Sequence, residues 1–196
     1  MDPRDPTFGD AIAITEEGVR TSLELGRQLG EFREVTSFYA SPLLRTRMTA
    51  GKIAEGMGIA NPVIPTDECL GNGSFYYADP VAVLEVFHPK NFFNACFEYF
   101  RTGEQRGFHN LHAASDVLEK WLLAHSTTQF FVAVTHDCYI AAFLSARGAV
   151  EEFTRENWTR FLDGGAIMID PDGTRRYALV RTGLSKGICG VGGRVM

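Results

Sequence analysis

Two short apolar runs, each leading into polar side chains suited to binding an anion, constrain this chain more than any other feature. The first, Phe-Tyr-Ala-Ser-Pro-Leu-Leu-Arg, occupies residues 38–45, and the second, Phe-Val-Ala-Val-Thr-His-Asp, occupies residues 131–137. A continuous apolar run bounded by turn signals is typical of a parallel strand covered on both faces. Helical spacing of apolar residues follows each run. The pattern predicts an α/β fold in which Arg45, His136 and Asp137 follow the carboxyl ends of strands, where ligands bind in such folds.

The rest of the chain continues this alternation. Thr15 is expected to cap a helix that ends at Gly30. Residues 67–112 break the rhythm with glycines and aromatics, which predicts a cap or lid inserted into a single domain of residues 1–196. The other predicted elements are a strand at 35–40, helices at 47–57, 114–124 and 139–146, a strand at 130–134, and a hairpin of strands 167–170 and 177–182 around a Pro-Asp-Gly turn.

Composition narrows the classes of function. The 196 residues are 45% hydrophobic and 22% charged, which suits one globular core. A net charge of -5 without any basic run argues against nucleic-acid and membrane partners. Four cysteines without a Cys-x-x-Cys pair favour neither zinc nor a disulfide scaffold, so we expect no metal and no cofactor. The beginning lacks an apolar signal segment and no run reaches about 18 apolar residues, which favours a cytoplasmic location.

Each candidate side chain also has an ordinary structural interpretation. An arginine after a strand is usually a solvated charge, and a histidine there is usually a hydrogen-bonded structural residue. Asp137 fits a helix N-cap as well as it fits an acid. His109 and His112 have the spacing of a metal pair, but no third ligand matches, which favours surface or lid histidines.

The two segments together resemble two signatures of the histidine phosphatase superfamily, and the order of elements over residues 12–180 is similar to that family. The resemblance implies a phosphoglycerate mutase-like three-layer α/β/α sandwich with a mostly parallel sheet. It implies that Arg45 and His136 bind the equatorial oxygens of a phosphate group. Asp137 resembles the His-Asp of the acid-phosphatase-like members, which implies a general acid. The implied partner is a small phosphorylated substrate or inorganic phosphate, and a homodimer is left open.

A third signature of that family has no counterpart here. Its first strand ends in Arg-His-Gly or Arg-His-Ala, whose histidine is the nucleophile, and this sequence contains no Arg-His pair. The nearest pattern, at residues 180–183, has Thr182 in that place, and a hydroxyl without an adjacent base cannot replace an imidazole. We therefore expect either a phosphatase whose first strand lies upstream of Met1 or an inactive relative that binds a phosphorylated ligand or protein. An unrelated α/β domain is the third alternative, and it predicts that Arg45 and His136 lie far apart.

The resemblance also places the Arg-His strand between the strands at 35–40 and 130–134. Buried backbone groups that lose their partners each cost about 1–3 kcal/mol, so that position must be filled or closed. Residues 11–15 are the nearest apolar stretch, and we expect them to fill it. The alternatives are direct pairing of the two strands, insertion of the strand at 177–182, or a strand from a second copy.

Overall fold

The computed structural model describes residues 11–32, 35, 37–71, 75–87, 92–126 and 130–185. Residues 1–10 and parts of the expected cap, at residues 72–74 and 88–91, lie outside the described residues. Helices and strands alternate along the chain, as an α/β fold requires. The elements are α1 (Glu16–Phe32), β1 (Ser37–Ala40), α2 (Leu44–Gly56), a short 3₁₀ helix (Glu68–Leu70), α3 (Pro80–Val86), α4 (Phe92–Thr102), α5 (Leu111–His125), β2 (Phe131–Val134), α6 (Asp137–Ala146), β3 (Gly164–Ile169) and β4 (Arg175–Val180).

The described residues group into two compact units. The first contains the described parts of residues 1–74 and 122–135, and the second contains those of residues 75–121 and 136–196. The cap role of residues 67–112 and the single-domain organisation stay predictions.

A parallel strand pair lies at the centre of the first unit. β1 and β2 are direct neighbours, with Ala40 opposite Val134. The N–H of Ser41, just beyond β1, donates to the carbonyl of Val134 at 3.0 Å. On its other edge, Ala40 exchanges backbone hydrogen bonds with residues 65–67. β1 is therefore flanked on both edges, and it ends on the same side of the ladder as β2.

The expectation that residues 11–15 fill a position between these two strands is wrong. β1 and β2 pair directly, so the facing backbone groups already satisfy each other and no inserted strand is needed. Residues 11–15 form no strand. Thr15 instead caps α1 as predicted, because its hydroxyl accepts a hydrogen bond from the N–H of Gly18 at 3.1 Å.

Several helix boundaries differ from the predicted ones. α1 continues through Gly30 to residue 32, and α2 begins at Leu44, so Arg45 lies in its first turn. α5 begins at residue 111 because the side chain of Asn110 accepts hydrogen bonds from the next two free N–H groups, both at 3.1 Å. The predicted hairpin forms around the Pro-Asp-Gly turn with antiparallel pairing, but β3 begins three residues and β4 two residues earlier than predicted.

Two glycines allow α1 and α2 to meet backbone to backbone. A Cβ atom on Gly26 would lie 2.0 Å from the carbonyl oxygen of Ile53, and one on Gly56 would lie 2.1 Å from that of Leu23. The apolar side chains around this crossing, including Ile53, pack with Phe38 of β1 and with side chains of β2. The helix crossing and the strand pair therefore share one core.

A buried carboxylate anchors the hairpin in the second unit. Glu119 of α5 is 5% exposed. Its oxygens accept a hydrogen bond from the hydroxyl of Tyr177 at 2.7 Å and pair with Arg175 at 2.9 Å and with Arg147 at 2.7 Å. A buried charge is tolerated only when it is paired and hydrogen-bonded in this way, so these three partners tie the hairpin and the end of α6 to α5.

The glycine crossing yields a stability prediction. Gly26→Ala is expected to lower the free energy of unfolding by more than about 2 kcal/mol, because the new methyl group would overlap the Ile53 carbonyl and force the helices apart. The measurement is chemical denaturation followed by circular dichroism.

Gly51→Ala in α2 is the matched control, because its added Cβ meets nothing within 4 Å. Alanine is the better helix former, so this variant is expected to gain about 0.5–1 kcal/mol. Equal effects of the two substitutions would show that the helices do not meet at Gly26.

Candidate functional site

A pair of buried hydroxyl groups shapes the turn between β1 and α2. The side-chain oxygens of Ser41 and Thr46 lie 2.7 Å apart. The Thr46 hydroxyl also lies 2.9 Å from the carbonyl oxygen of Ser41 and 2.8 Å from that of Leu43. Residue 43 stays extended as the N-cap of α2, and Arg45 follows in the first turn, half-buried. The hydrogen bonds within Ser-Pro-Leu-Leu-Arg-Thr therefore fix the backbone position of Arg45 at the start of α2.

The end of β2 is tied down by a second hydroxyl. The side chain of Thr135 donates to the carbonyl of Leu70 at 2.8 Å, within the first unit. This bond fixes the residue that directly precedes His136 along the chain.

His136 begins α6 in the second unit. Its backbone is extended, and its carbonyl accepts hydrogen bonds from the N–H groups of Tyr139 and Ile140, both at 3.1 Å. Its ring meets the Tyr139 ring edge-on, with centroids 5.6 Å apart. Tyr139 is 7% exposed and stacks on Tyr76 at 5.9 Å. A buried aromatic pair thus supports the half-buried imidazole.

Asp137 is held by a tryptophan far along the chain. The indole N–H of Trp158 donates to the Oδ2 atom of Asp137 at 2.7 Å, and the hydroxyl of Thr159 donates to its backbone carbonyl at 3.1 Å. Trp158 and Thr159 are each 0% exposed. The interpretation of Asp137 as a helix N-cap is wrong, because His136 occupies the cap position and Asp137 is the first residue of the helix.

A buried thiol lies in the electrostatic field of this carboxylate. Burial first, and then the charge of Asp137, raise the pKa of Cys96 in α4 well above its usual value. A thiol in that environment stays protonated at neutral pH, so Cys96 is not a nucleophile.

One of the two arginines that precede a Thr-Gly pair, Arg181, has a structural role. Arg181 pairs with Asp163 at 2.5 Å and donates to the backbone carbonyl of Trp158 at 2.8 Å. Its guanidinium therefore orders the chain around Trp158 and Asp163.

The structure places the predicted site residues in two groups. Arg45 lies in the first unit, whereas the consecutive residues His136 and Asp137 lie in the second. That these three residues bind one phosphate stays a prediction. Over the described ranges, no three or more His, Cys, Asp or Glu side chains are arranged to hold a metal ion, His109 and His112 included. In the same ranges no helix is long and apolar enough to cross a bilayer.

A family model for the histidine phosphatase superfamily, branch 1, matches residues 8–161. The chain belongs to this superfamily. Its phosphoglycerate mutase-like α/β fold, expected from the sequence, is thereby confirmed.

Solved structures of similar fold include three mycobacterial proteins, each 18% identical to this chain. Mycobacterial hydrolase 2 has a TM-score of 0.50, over 85% of this chain and 78% of that chain. Mycobacterial hydrolase 1 has a TM-score of 0.49, and a mycobacterial glucosyl-3-phosphoglycerate phosphatase in complex with VO3 has one of 0.48. Both of these alignments cover 89% of this chain and 91% of the other. No curated protein matches the sequence.

Trp158, the partner of the Asp137 carboxylate, is the residue that sequence reasoning missed. It lies 21 positions beyond Asp137, so no helical or strand periodicity links the two. The only signal is that a buried indole N–H usually has a hydrogen-bond acceptor, and this does not identify the acceptor.

The hydroxyl pair yields a second prediction. Thr46→Val keeps the shape of the side chain but removes the group that joins Ser41 and Leu43, and it is expected to lower the free energy of unfolding by about 1–3 kcal/mol. Thr49→Val, three residues later in α2, is the matched control and is expected to change stability by less than about 0.5 kcal/mol. Urea denaturation of both variants checks this, and equal losses would contradict it.

Proposed function

We propose that this chain binds the phosphate group of a small phosphate ester, with Arg45 and His136 as donors to the phosphate oxygens. The parallel pairing of β1 and β2 carries the proposal, because the segments leading to Arg45 and to His136 both leave the sheet from adjacent strand ends. A planar guanidinium offers two parallel N–H donors to phosphate oxygens, which the ammonium group of a lysine cannot do. Donors placed around these oxygens are the main contribution of a protein to phosphoryl transfer.

Asp137 has the acid role in this proposal. A carboxyl group beside a bound phosphate dianion keeps its proton, because ionisation would place two like charges together. When the bond between phosphorus and the leaving oxygen breaks, that oxygen takes the proton of Asp137 and departs as a neutral hydroxyl. The phosphoryl group passes to an imidazole nitrogen, and water then releases it as inorganic phosphate.

The proposed site is incomplete within these 196 residues, because the sequence has no Arg-His pair to supply the nucleophilic imidazole. This observation favours a second candidate, a catalytically inactive relative that binds a phosphorylated ligand or protein without turnover. Phosphate binding is common to both candidates, and they differ in turnover. A cytoplasmic location completes the proposal.

Binding of inorganic phosphate and orthovanadate tests the shared part. Arg45→Ala is expected to weaken the affinity of both anions by about 10- to 100-fold, because hydrogen bonds between charged groups contribute about 1.5–3 kcal/mol. Arg45→Lys is expected to recover only part of the loss. Isothermal titration calorimetry gives the dissociation constants.

Arg47→Ala is the matched control for that experiment. Arg47 lies two residues further along α2 and is exposed. It is expected to leave both affinities within about twofold, the range of a screened surface charge. Equal affinities of the Arg45→Ala and Arg47→Ala variants would overturn the proposed role of Arg45.

Turnover separates the two candidates. The 196-residue chain is expected to hydrolyse p-nitrophenyl phosphate no faster than its Arg45→Ala, His136→Ala double variant. Neither residue can replace the nucleophilic histidine of the phosphohistidine route. A rapid quench with labelled substrate checks for a covalent intermediate. If the 196-residue chain formed an acid-labile phosphoprotein, the prediction would be wrong and one of its own histidines would be the nucleophile.

A further inference from the structure

Trp158 directs its one side-chain hydrogen-bond donor at the carboxylate of Asp137. Its side chain is 0% exposed, and its single N–H donates to Oδ2 of Asp137 at 2.7 Å. An indole is a donor only, so Oδ2 must act as the acceptor whatever the protonation state of the carboxyl group.

The indole ring is held in a cage of aromatic side chains. Four of them lie on α4 and a fifth follows α6, with ring centroids 5.2–6.1 Å from that of Trp158. Phe100 stacks on the indole with an interplanar angle of 9°. Interdigitated aromatic rings of this kind do not rotate without opening the core. The cage consists of Phe92, Phe93, Phe97, Phe100 and Phe153.

The backbone next to Trp158 is attached on both sides. Its carbonyl accepts a hydrogen bond from Arg181 at 2.8 Å, and the hydroxyl of the next residue, Thr159, donates to the carbonyl of Asp137 at 3.1 Å. The direction of the indole N–H is therefore fixed by α4, by the terminal segment and by the start of α6. These contacts set the direction from which the indole N–H approaches the Asp137 carboxylate.

We propose that Trp158 is the positioning residue for the Asp137 carboxyl group and makes Oδ1 the oxygen that carries the proton. The proposal rests on the acid role given above to Asp137. In a protonated carboxyl group the carbonyl oxygen accepts hydrogen bonds better than the hydroxyl oxygen. With Oδ2 bound to the indole, the acid form places its proton on Oδ1.

The same bond changes strength during proton transfer. When the leaving oxygen takes the proton from Oδ1, negative charge spreads to Oδ2, and the bond from Trp158 becomes a charge-assisted one. The indole thus stabilises the product of proton donation more than the acid before it. This differential stabilisation is what speeds a chemical step.

Other ionisable groups near the Asp137 carboxylate also change the observed signals when they titrate. His136 precedes it on the chain, Cys96 faces it from α4, and the pair of Arg181 and Asp163 lies behind Trp158. Replacing Asp137 by asparagine removes the titration of the carboxyl group and keeps that of the imidazole, so this variant shows which group causes a given inflection.

Indole N–H signals in a 15N-labelled protein test the proposal without any need for turnover. The chain has two tryptophans, Trp121 and Trp158, and Trp121→Phe assigns the signals. The Trp158 signal is expected to shift with pH along the carboxyl inflection, and Asp137→Asn is expected to abolish that inflection while retaining the acceptor. The Trp121 signal is the internal reference.

Trp158→Phe provides a second arm, because it keeps an aromatic ring and removes the N–H. The apparent proton affinity of the Asp137 carboxyl group, followed by its 13C signal, is expected to rise about tenfold as the anion loses a donor. A Trp158 signal with the same pH profile in the native chain and in Asp137→Asn would overturn the proposal, even if Trp158→Phe does not fold. Calorimetry of the unsubstituted chain with orthovanadate is independent of both arms. If that chain does not bind the anion, the proposed function is refuted while the coupling between Trp158 and Asp137 stands.

Discussion

The register of the parallel ladder between β1 and β2 decides where the chain leaves the sheet on its way to Arg45 and to His136. Phe38 and Val132 are register partners and pack into the same apolar core as the α1–α2 crossing. A shift of one residue would turn every side chain of a strand to the opposite face, so burial of these side chains specifies the register. The core thereby fixes the starting point of both candidate phosphate-binding segments.

Sequence reasoning succeeded where the physical cause is local. The Thr15 cap and the Pro-Asp-Gly turn depend on neighbours within a few residues, and both were predicted. It failed where the cause is non-local. An apolar run indicates that a strand is buried, but it carries no information about which strand lies beside it. The insertion of residues 11–15 was therefore predicted for an edge that β2 already occupies.

The candidate site shows the same division. Arg45, His136 and Asp137 stand out because they follow apolar runs and match family segments, and both are properties of contiguous sequence. The spacing of Phe93, Phe97 and Phe100 indicates an apolar helix face, but not that this face encloses Trp158. Nor does the sequence around Asp137 reveal that its carboxylate has a fixed indole partner. The cap interpretation of Asp137 is one residue too late, because His136, with an extended backbone and no side-chain cap hydrogen bond, is the N-cap.

The first unit is assembled from two separated stretches of chain, and this has a consequence during synthesis on the ribosome. α1, β1 and α2 emerge first, and the glycine crossing lets the two helices pack early. The edge of β1 that faces β2 has no strand partner until β2 has been translated. An unpaired apolar strand edge is a site for association with other chains. Residues 75–121 are made during that interval, so the pace of their translation sets how long the edge stays exposed.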